Sequence, residues 1–247
     1  MIREVSRENE AAFFRCLGER PFFAALMRTL YASSGGKGVR FYLADGQAAL
    51  QVCGTHGLLV GRPKDEEELA GFCRFQGVTR LKSDGHCPNG FSAAPLPMMR
   101  YDPAAAPPVP PLPEGMTMDE MPSMLRLFAE LDRLGDGAVM PDTFAVDACA
   151  RRNRGLADIR ALTVPDGRYV ATAGIYALQP WEAYVAAVKT VPEFRGRGCA
   201  GYLVSLLAHA YADRPVRLLC AEEMTAFYAK WGFVREGFVK QCNFEKE

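Results

Sequence analysis

The fold of this chain is decided by residues 188–200, which read Val188-Lys189-Thr190-Val191-Pro192-Glu193-Phe194-Arg195-Gly196-Arg197-Gly198-Cys199-Ala200. The pattern predicts a β-strand that ends at Pro192, a glycine loop and then a helix. A helix N-terminus presents about four unpaired N–H groups and roughly half a positive charge. Glycines let that backbone approach an anion closely, and two arginines add charge. The stretch therefore predicts a pyrophosphate site, although a tight turn with solvated arginines gives the same pattern.

The spacing Gly196-x-Gly198-x-x-Gly201 also satisfies the dinucleotide-binding fingerprint, with Glu222 where a ribose-binding acid is expected. That fingerprint places its first glycine directly at the end of a strand, whereas Pro192 and three more residues intervene here. Only 46 residues follow Gly201, which we expect to be too few for the rest of a doubly wound sheet. The sequence therefore disfavours a dinucleotide-binding domain.

A second motif lies about 30 residues downstream and reads Phe227-Tyr228-Ala229-Lys230-Trp231-Gly232-Phe233. The two motifs resemble the Arg/Gln-x-x-Gly-x-Gly/Ala and Phe-Tyr-x-Lys-x-Gly-Phe segments of the GNAT superfamily of N-acetyltransferases. The resemblance covers residues 117–247. Ala221 and Met224 depart from the asparagine and alanine often found before the second segment.

The resemblance implies an α+β fold, a GNAT-like mixed and mostly antiparallel sheet with flanking helices. It also implies direct transfer of an acetyl group from acetyl-CoA, the cosubstrate, to an amine of a small molecule or peptide. The backbone of Val188 and Thr190 would pair with the pantetheine arm, and the amides around Arg195 to Ala200 would hold the pyrophosphate. The residues so assigned to the coenzyme are Val188, Lys189, Thr190, Arg195, Gly196, Arg197, Gly198, Cys199 and Ala200. A non-catalytic CoA-binding module, O-acyl transfer and a longer acyl group stay open as alternatives.

Two side chains are candidates for proton transfer. A tyrosine phenol keeps its proton at neutral pH and can supply it to a leaving thiolate, and the resemblance gives Tyr228 this role of general acid. Glu182 opens the strand that leads to the loop and shares a face with Tyr184, so it is a candidate base for the incoming ammonium. Glu222 is a second candidate. Trp181, Tyr176, Phe128 and Phe144 are candidates for an aromatic wall around the acceptor.

Eight of the 17 prolines fall between Pro95 and Pro113, which predicts an extended linker. We expect an α+β module over residues 1–94, a Pro-rich linker over 95–115 and the GNAT-like domain over 116–247. The first module is predicted to contain two helices, a hairpin at Asp45-Gly46 and a β-α-β unit whose helix Asp65 caps. This order loosely echoes the C-terminal part, so a degenerate second GNAT-like domain in tandem is our interpretation.

Composition excludes several classes of protein. Lysine plus arginine and aspartate plus glutamate number 29 each, so no net charge attracts nucleic acid or an anionic membrane. No apolar run approaches the roughly 20 residues that cross a bilayer, and the charged N-terminus is not a secretory signal.

Eight cysteines are read as reduced thiols of a cytoplasmic protein. Cys53-Gly54-Thr55-His56 and His86-Cys87 suggest zinc, but adjacent His and Cys fit one tetrahedral ion poorly, so we expect no metal.

Overall fold

The structure, a computed structural model, describes residues 1–18, 20–34, 38–133 and 142–245. It divides into two compact units. The N-terminal unit comprises Met1–Met98, Cys220–Glu222 and Glu236–Glu247, and the C-terminal unit comprises Met99–Leu219 and Glu223–Arg235. The predicted domain bounds stay a prediction. In this division the chain returns from Glu236 onward to the N-terminal unit.

The N-terminal unit contains a meander of strands followed by a parallel crossover. Its elements are β1 (Ile2–Glu4), α1 (Glu10–Leu17), α2 (Pro21–Ser34), β2 (Val39–Ala44), β3 (Ala48–Cys53), β4 (His56–Gly61), α3 (Glu66–Phe75) and β5 (Arg80–Ser83). Strands β1 to β4 pair antiparallel in sequence order, and β5 lies parallel to β4. The hairpin at Asp45-Gly46 is confirmed, since both residues have positive φ, 51° and 67°. The sequence predicts that the second helix starts at Pro21 and ends before Gly35-Gly36; these two glycines lie outside the described residues.

Strand β6 (Phe91–Tyr101) occupies the first part of the segment that we expected to be linker. Pro95 and Pro97 fit its extended backbone because the φ that proline fixes, about −65°, still lies at the edge of the broad β region. The carbonyl oxygen of Pro97 still accepts a hydrogen bond, from the amide of Cys220 at 3.2 Å. Proline content alone therefore did not distinguish a strand from an extended linker in this segment.

The C-terminal unit repeats the order of the N-terminal one. Its elements are β7 (Thr117–Asp119), α4 (Met124–Arg133), α5 (Asp142–Asn153), β8 (Asp158–Thr163), β9 (Tyr169–Gln179), β10 (Glu182–Thr190), α6 (Cys199–Ala210), β11 (Val216–Leu219), α7 (Thr225–Ala229) and the start of β12 (Phe233–Phe244). Strands β7 to β10 pair antiparallel, and β11 lies parallel to β10. The sequence predicts two helices here, near 119–134 and 141–152; the end of the first at Leu134 and the start of the second at Pro141 lie outside the described residues.

Each unit has its own apolar core. In the N-terminal unit, Leu50, Leu59, Leu69 and Leu81 are at most 1% exposed, and Cys242 of β12 joins them because β12 pairs antiparallel with β5. In the C-terminal unit, residues from α4, β8 and α6 are equally buried, namely Leu127, Leu131, Ile159, Leu203 and Leu207. Both units thus place helices against a mixed, mostly antiparallel sheet, and the predicted fold class of two α+β domains in tandem is confirmed.

Candidate functional site

Strand β10 separates from β11 halfway along its length. The two strands pair in parallel only from Ala183, opposite Val216, to Val185, opposite Leu218. Immediately afterwards the register between β9 and β10 shifts, and Ala187 takes a positive φ of 51°. This is a β-bulge, a feature that bends a strand and is common beside functional sites. Residues 186–190 are half-exposed as a result.

The glycine loop follows β10 directly. A single 3-10 turn, Pro192–Phe194, leads to Gly196 and Gly198, whose φ values are 78° and 82°. Helix α6 begins at Cys199 without a side-chain cap, so its first amides keep their hydrogens for another acceptor. The predicted strand, loop and helix are all confirmed.

The two loop glycines have open space where a side chain would begin, as far as the described residues show. A Cβ atom added to Gly196 or Gly198 meets no atom of the described residues within 4 Å. The positive φ at these two positions therefore favours glycine, whereas close packing within the chain does not require it. An anion can approach their amides without meeting a side chain.

Positive charge lies on both sides of this loop. Arg195 donates from Nε to the carbonyl oxygen of Thr190 at 3.3 Å, and the guanidinium of Arg197 lies 4.8 Å from the ring centre of Phe194. Both arginines are exposed, as is the loop itself. A diphosphate at the start of α6 would meet two cations that are already held in place.

Cys199 points the other way. Its side chain is 2% exposed, and its Sγ lies 3.5 Å from Sδ of Met116 and 3.6 Å from the carbonyl oxygen of Phe194. Burial raises the pKa of this thiol. The side chain therefore packs in the core, and only the backbone of Cys199 faces the loop.

Two buried polar atoms near this loop have no hydrogen-bond partner among the described residues. They are Oγ1 of Thr190, at the end of β10, and Nε1 of Trp231. A buried donor without an acceptor costs about 1–3 kcal/mol. Thr190 stands directly before the loop, so its hydroxyl is a fitting contact for a ligand that lies along β10.

Tyr228 lies on α7 within an aromatic group. Its side chain is 7% exposed, with its ring centre 5.0 Å from that of Phe227 and 6.0 Å from that of Phe233, both in edge contacts. These contacts fix the ring and leave a small exposed fraction. The structure thus places Tyr228 as a packed aromatic, and its role as a general acid stays a prediction.

The two sequence motifs meet in the structure. A Cβ added to Gly201, in the first turn of α6, lies 2.1 Å from Cζ2 of Trp231. Gly232, with φ of 83°, is similarly enclosed, since a Cβ there lies 2.5 Å from that of Ala106. The segment that carries Tyr228 is therefore pressed against the start of the helix that carries the glycine loop. In the sequence, Gly201 stands out only as the last glycine of a dinucleotide fingerprint, and no local pattern indicates its contact with Trp231.

Glu182 lies at the other end of β10. Thr190 is eight positions further along the strand, a distance of about 25 Å at the usual rise per residue. Its side chain is fully buried and forms an ion pair with Arg217 of β11, a residue that sequence analysis did not single out. The role of Glu182 as a base stays a prediction. The structure adds a second role, in which its carboxylate forms an ion pair that links β10 to β11. Glu222 is exposed.

Three of the four predicted aromatic wall residues come together. Phe144 of α5 stacks on Tyr176 at 5.4 Å and meets Phe128 of α4 at 5.1 Å. Tyr176 is 2% exposed, and burial raises its pKa. Trp181 instead stands 41% exposed at the turn between β9 and β10.

The N-terminal unit has the same strand, loop and helix, but carboxylates occupy its helix start. Asp65 caps α3 by accepting from the amide of Glu68 at 2.8 Å, and the first turn adds Glu66 and Glu67. The amide of Gly61, at the end of β4, donates to both oxygens of Asp84, at 3.1 and 3.3 Å. These negative charges would repel a phosphate, so the loop of the C-terminal unit is the better anion site.

The described part of the chain shows no group of three or more His, Cys, Asp or Glu side chains arranged to hold a metal ion. None of its described helices is both long and apolar enough to span a bilayer.

No protein family model matches the sequence, and no curated protein sequence matches it. Several solved structures are similar in fold. A GCN5-related N-acetyltransferase-like protein from Streptococcus suis 89/1591 is 17% identical with a TM-score of 0.63, over 95% of this chain and 99% of the other. A GCN5-related N-acetyltransferase from Sphaerobacter thermophilus is 15% identical with a TM-score of 0.63, over 98% and 94%. A tandem GNAT protein from the clavulanic acid biosynthesis pathway is 12% identical with a TM-score of 0.62, over 100% and 99%. Together with the repeated order of elements, these similarities show that the chain has the tandem fold of the GCN5-related N-acetyltransferases, GNAT.

Proposed function

We propose that the C-terminal unit transfers an acetyl group from acetyl-CoA to an amine of a small molecule or peptide. The observation that carries this proposal is the path of β10. It leaves β11 after Val185, bulges at Ala187 and leads into an uncapped helix start flanked by two arginines. This path offers, in order, a half-exposed stretch of strand beyond its pairing with β11, for an extended arm, and an anion site for a diphosphate.

Binding would use mainly the backbone. The amides from Arg195 to Ala200 would hold the pyrophosphate, with the charges of Arg195 and Arg197 beside them. The backbone of Val188 and Thr190 would pair with the pantetheine arm along the half-exposed stretch of β10. Lys189 lies between them and adds a third positive charge. The unpartnered hydroxyl of Thr190 supports the fit, because an arm lying along β10 supplies an acceptor.

Tyr228 would act as the general acid. The amine nitrogen attacks the acetyl carbonyl carbon, the carbon–sulfur bond breaks, and the phenol gives its proton to the departing sulfur. The proton lost by the amine goes to water, and the phenolate then recovers a proton from solvent. The contacts of Tyr228 with Phe227 and Phe233 would hold the hydroxyl in one direction throughout.

We assign the amine's proton to water and not to Glu182. A base must reach the proton that it removes, whereas the carboxylate of Glu182 is 0% exposed and held by Arg217. Breaking such a pair leaves a buried charge uncompensated. Glu182 is therefore better suited to tie β10 to β11 just before they separate.

A non-catalytic CoA-binding module is the alternative, favoured by the low exposure of Tyr228. Release of free thiol from acetyl-CoA distinguishes the two functions. We expect thiol to appear above the background rate with at least one member of a panel of small amines and peptides with free amino groups, and the acetylated product to appear in equal amount by mass spectrometry. Tight CoA binding without thiol release across the panel supports the module.

A further inference from the structure

Cys87 and Cys242 lie side by side in the N-terminal unit, although they are 155 positions apart in the chain. Cys87 belongs to the loop between β5 and β6, and Cys242 lies in β12 opposite Leu81 of β5. The Sγ of Cys242 is 3.9 Å from the carbonyl oxygen of His86, the residue bonded to Cys87. Burial, and next to it the neighbouring Cys87 thiol, raise the pKa of Cys242.

The two cysteines differ in access. Cys242 is 0% exposed within the apolar core, and Cys87 packs against the same core but is only partly buried. The Sγ of Cys87 also lies 3.5 Å from the carbonyl oxygen of Phe91. Burial raises the pKa of the Cys242 thiol, so its thiolate is scarce. A reagent in solution therefore meets Cys87 first, and Cys242 is the thiol held next to it.

We propose that Cys87 and Cys242 are a redox-responsive dithiol, which a low-molecular-weight disulfide such as oxidised glutathione converts into an intramolecular disulfide. The thiolate of Cys87 attacks one sulfur of the small disulfide and releases one small thiol. The sulfur of Cys242, losing its proton to solvent, then attacks the Cys87 sulfur and releases the second small thiol. Two electrons and two protons pass from the protein to the small disulfide, which balances the exchange.

The Cys87–Cys242 disulfide would link β12 covalently to the loop between β5 and β6 of the N-terminal unit. Residues 240–243 of β12 pair with β5, and Cys242 is the residue of this stretch that the core encloses completely. A covalent link between distant residues restricts the unfolded chain more than the folded one. We therefore expect oxidation to raise the midpoint of thermal unfolding by about 5–10 °C.

The test uses the full chain, first reduced and then incubated with excess oxidised glutathione. We expect a loss of about 2 Da in the intact mass, since two hydrogens leave. Trypsin digestion without reductant should then give one cross-linked product, which joins residues 83–100 to residues 241–246. No mass change, or a glutathione adduct that persists on Cys87, would overturn the proposal because Cys242 then fails to complete the exchange.

Variants separate this pair from the other thiols. Cys87→Ser should abolish both the mass loss and the rise in midpoint, and Cys242→Ala should leave a stable glutathione adduct on Cys87. Cys53→Ser removes an exposed cysteine of β3 and serves as the matched control that keeps the cross-link. A mass loss that survives in Cys87→Ser would show that another pair reacts, and the proposal would be wrong.

Discussion

Gly201 lies directly beneath the indole of Trp231, so closely that a single added methyl group would lie 2.1 Å from the ring. Gly201 lies in the first turn of the helix that follows the glycine loop, and Trp231 follows Tyr228 in the second motif. The contact therefore joins the part of the C-terminal unit proposed to hold the diphosphate to the part proposed to donate the proton. The two motifs therefore pack against each other through this contact.

Gly201→Ala should consequently destabilise the protein. The added methyl group would lie well inside the van der Waals distance of three indole carbons, and overpacking of this kind costs about 1–3 kcal/mol. Gly71→Ala is the matched control, because Gly71 also lies in a helix but a Cβ there meets nothing within 4 Å among the described residues. Urea unfolding should show a loss for the first variant and an unchanged or higher stability for the second. Equal stabilities would contradict the contact.

The sequence indicated the elements that local chemistry determines. The strand into Pro192, the helix after Gly198 and the Asp45-Gly46 hairpin follow from turn residues and short-range periodicity. Sequence did not reveal β6, because the fixed φ of Pro95 and Pro97 suits a strand as well as a spacer.

Contacts between distant residues were equally hidden. Gly201 and Trp231 are 30 residues apart, Glu182 and Arg217 are 35 apart, and only the folded sheet brings each pair together. The exposure of a side chain is a property of such packing. A glutamate that opens a strand was therefore a reasonable candidate base until its burial against Arg217 was known.

Gly198→Ala should weaken coenzyme binding beyond its effect on folding. Gly198 and Gly167 share a φ of 82°, so alanine at either position pays a similar backbone cost of about 1 kcal/mol. Only at Gly198 does the new methyl group enter the space above the glycine loop. Calorimetry with CoA should show an affinity at least about tenfold lower for Gly198→Ala, equivalent to about 1.4 kcal/mol, and little change for Gly167→Ala. Equal affinities in both variants would remove the loop from the binding site.

Trp231 should report coenzyme binding through its fluorescence. The chain has two tryptophans, and Trp231 lies over the first turn of α6 whereas Trp181 stands at the turn between β9 and β10. Titration with CoA should change the emission of Trp181→Phe, which retains Trp231, and saturate at one equivalent, because carboxylates occupy the matching loop of the N-terminal unit. A saturation at two equivalents would show that the N-terminal unit also binds.

Tyr228→Phe tests the proposed acid. The ring contacts with Phe227 and Phe233 persist in phenylalanine, so we expect the variant to keep the packing of α7 and to bind CoA. Turnover with an accepted amine should fall about 10²-fold, within the usual range for a group that transfers a proton. Unchanged turnover would exclude Tyr228 as the acid, whereas a parallel loss of CoA affinity would indicate a binding role.

Glu182 and Arg217 should behave as a structural pair. Glu182→Ala removes the carboxylate that pairs with the largely buried guanidinium of Arg217 and should cost about 3 kcal/mol of stability. Replacing both residues with apolar side chains of similar size, Glu182→Leu with Arg217→Met, should recover much of this loss because no charge then remains buried. Urea unfolding of the single and double variants measures the coupling, and turnover of the double variant measures any part in catalysis. If the double variant is stable but inactive while still binding CoA, Glu182 takes part in the reaction and the assignment of the amine's proton to water is wrong.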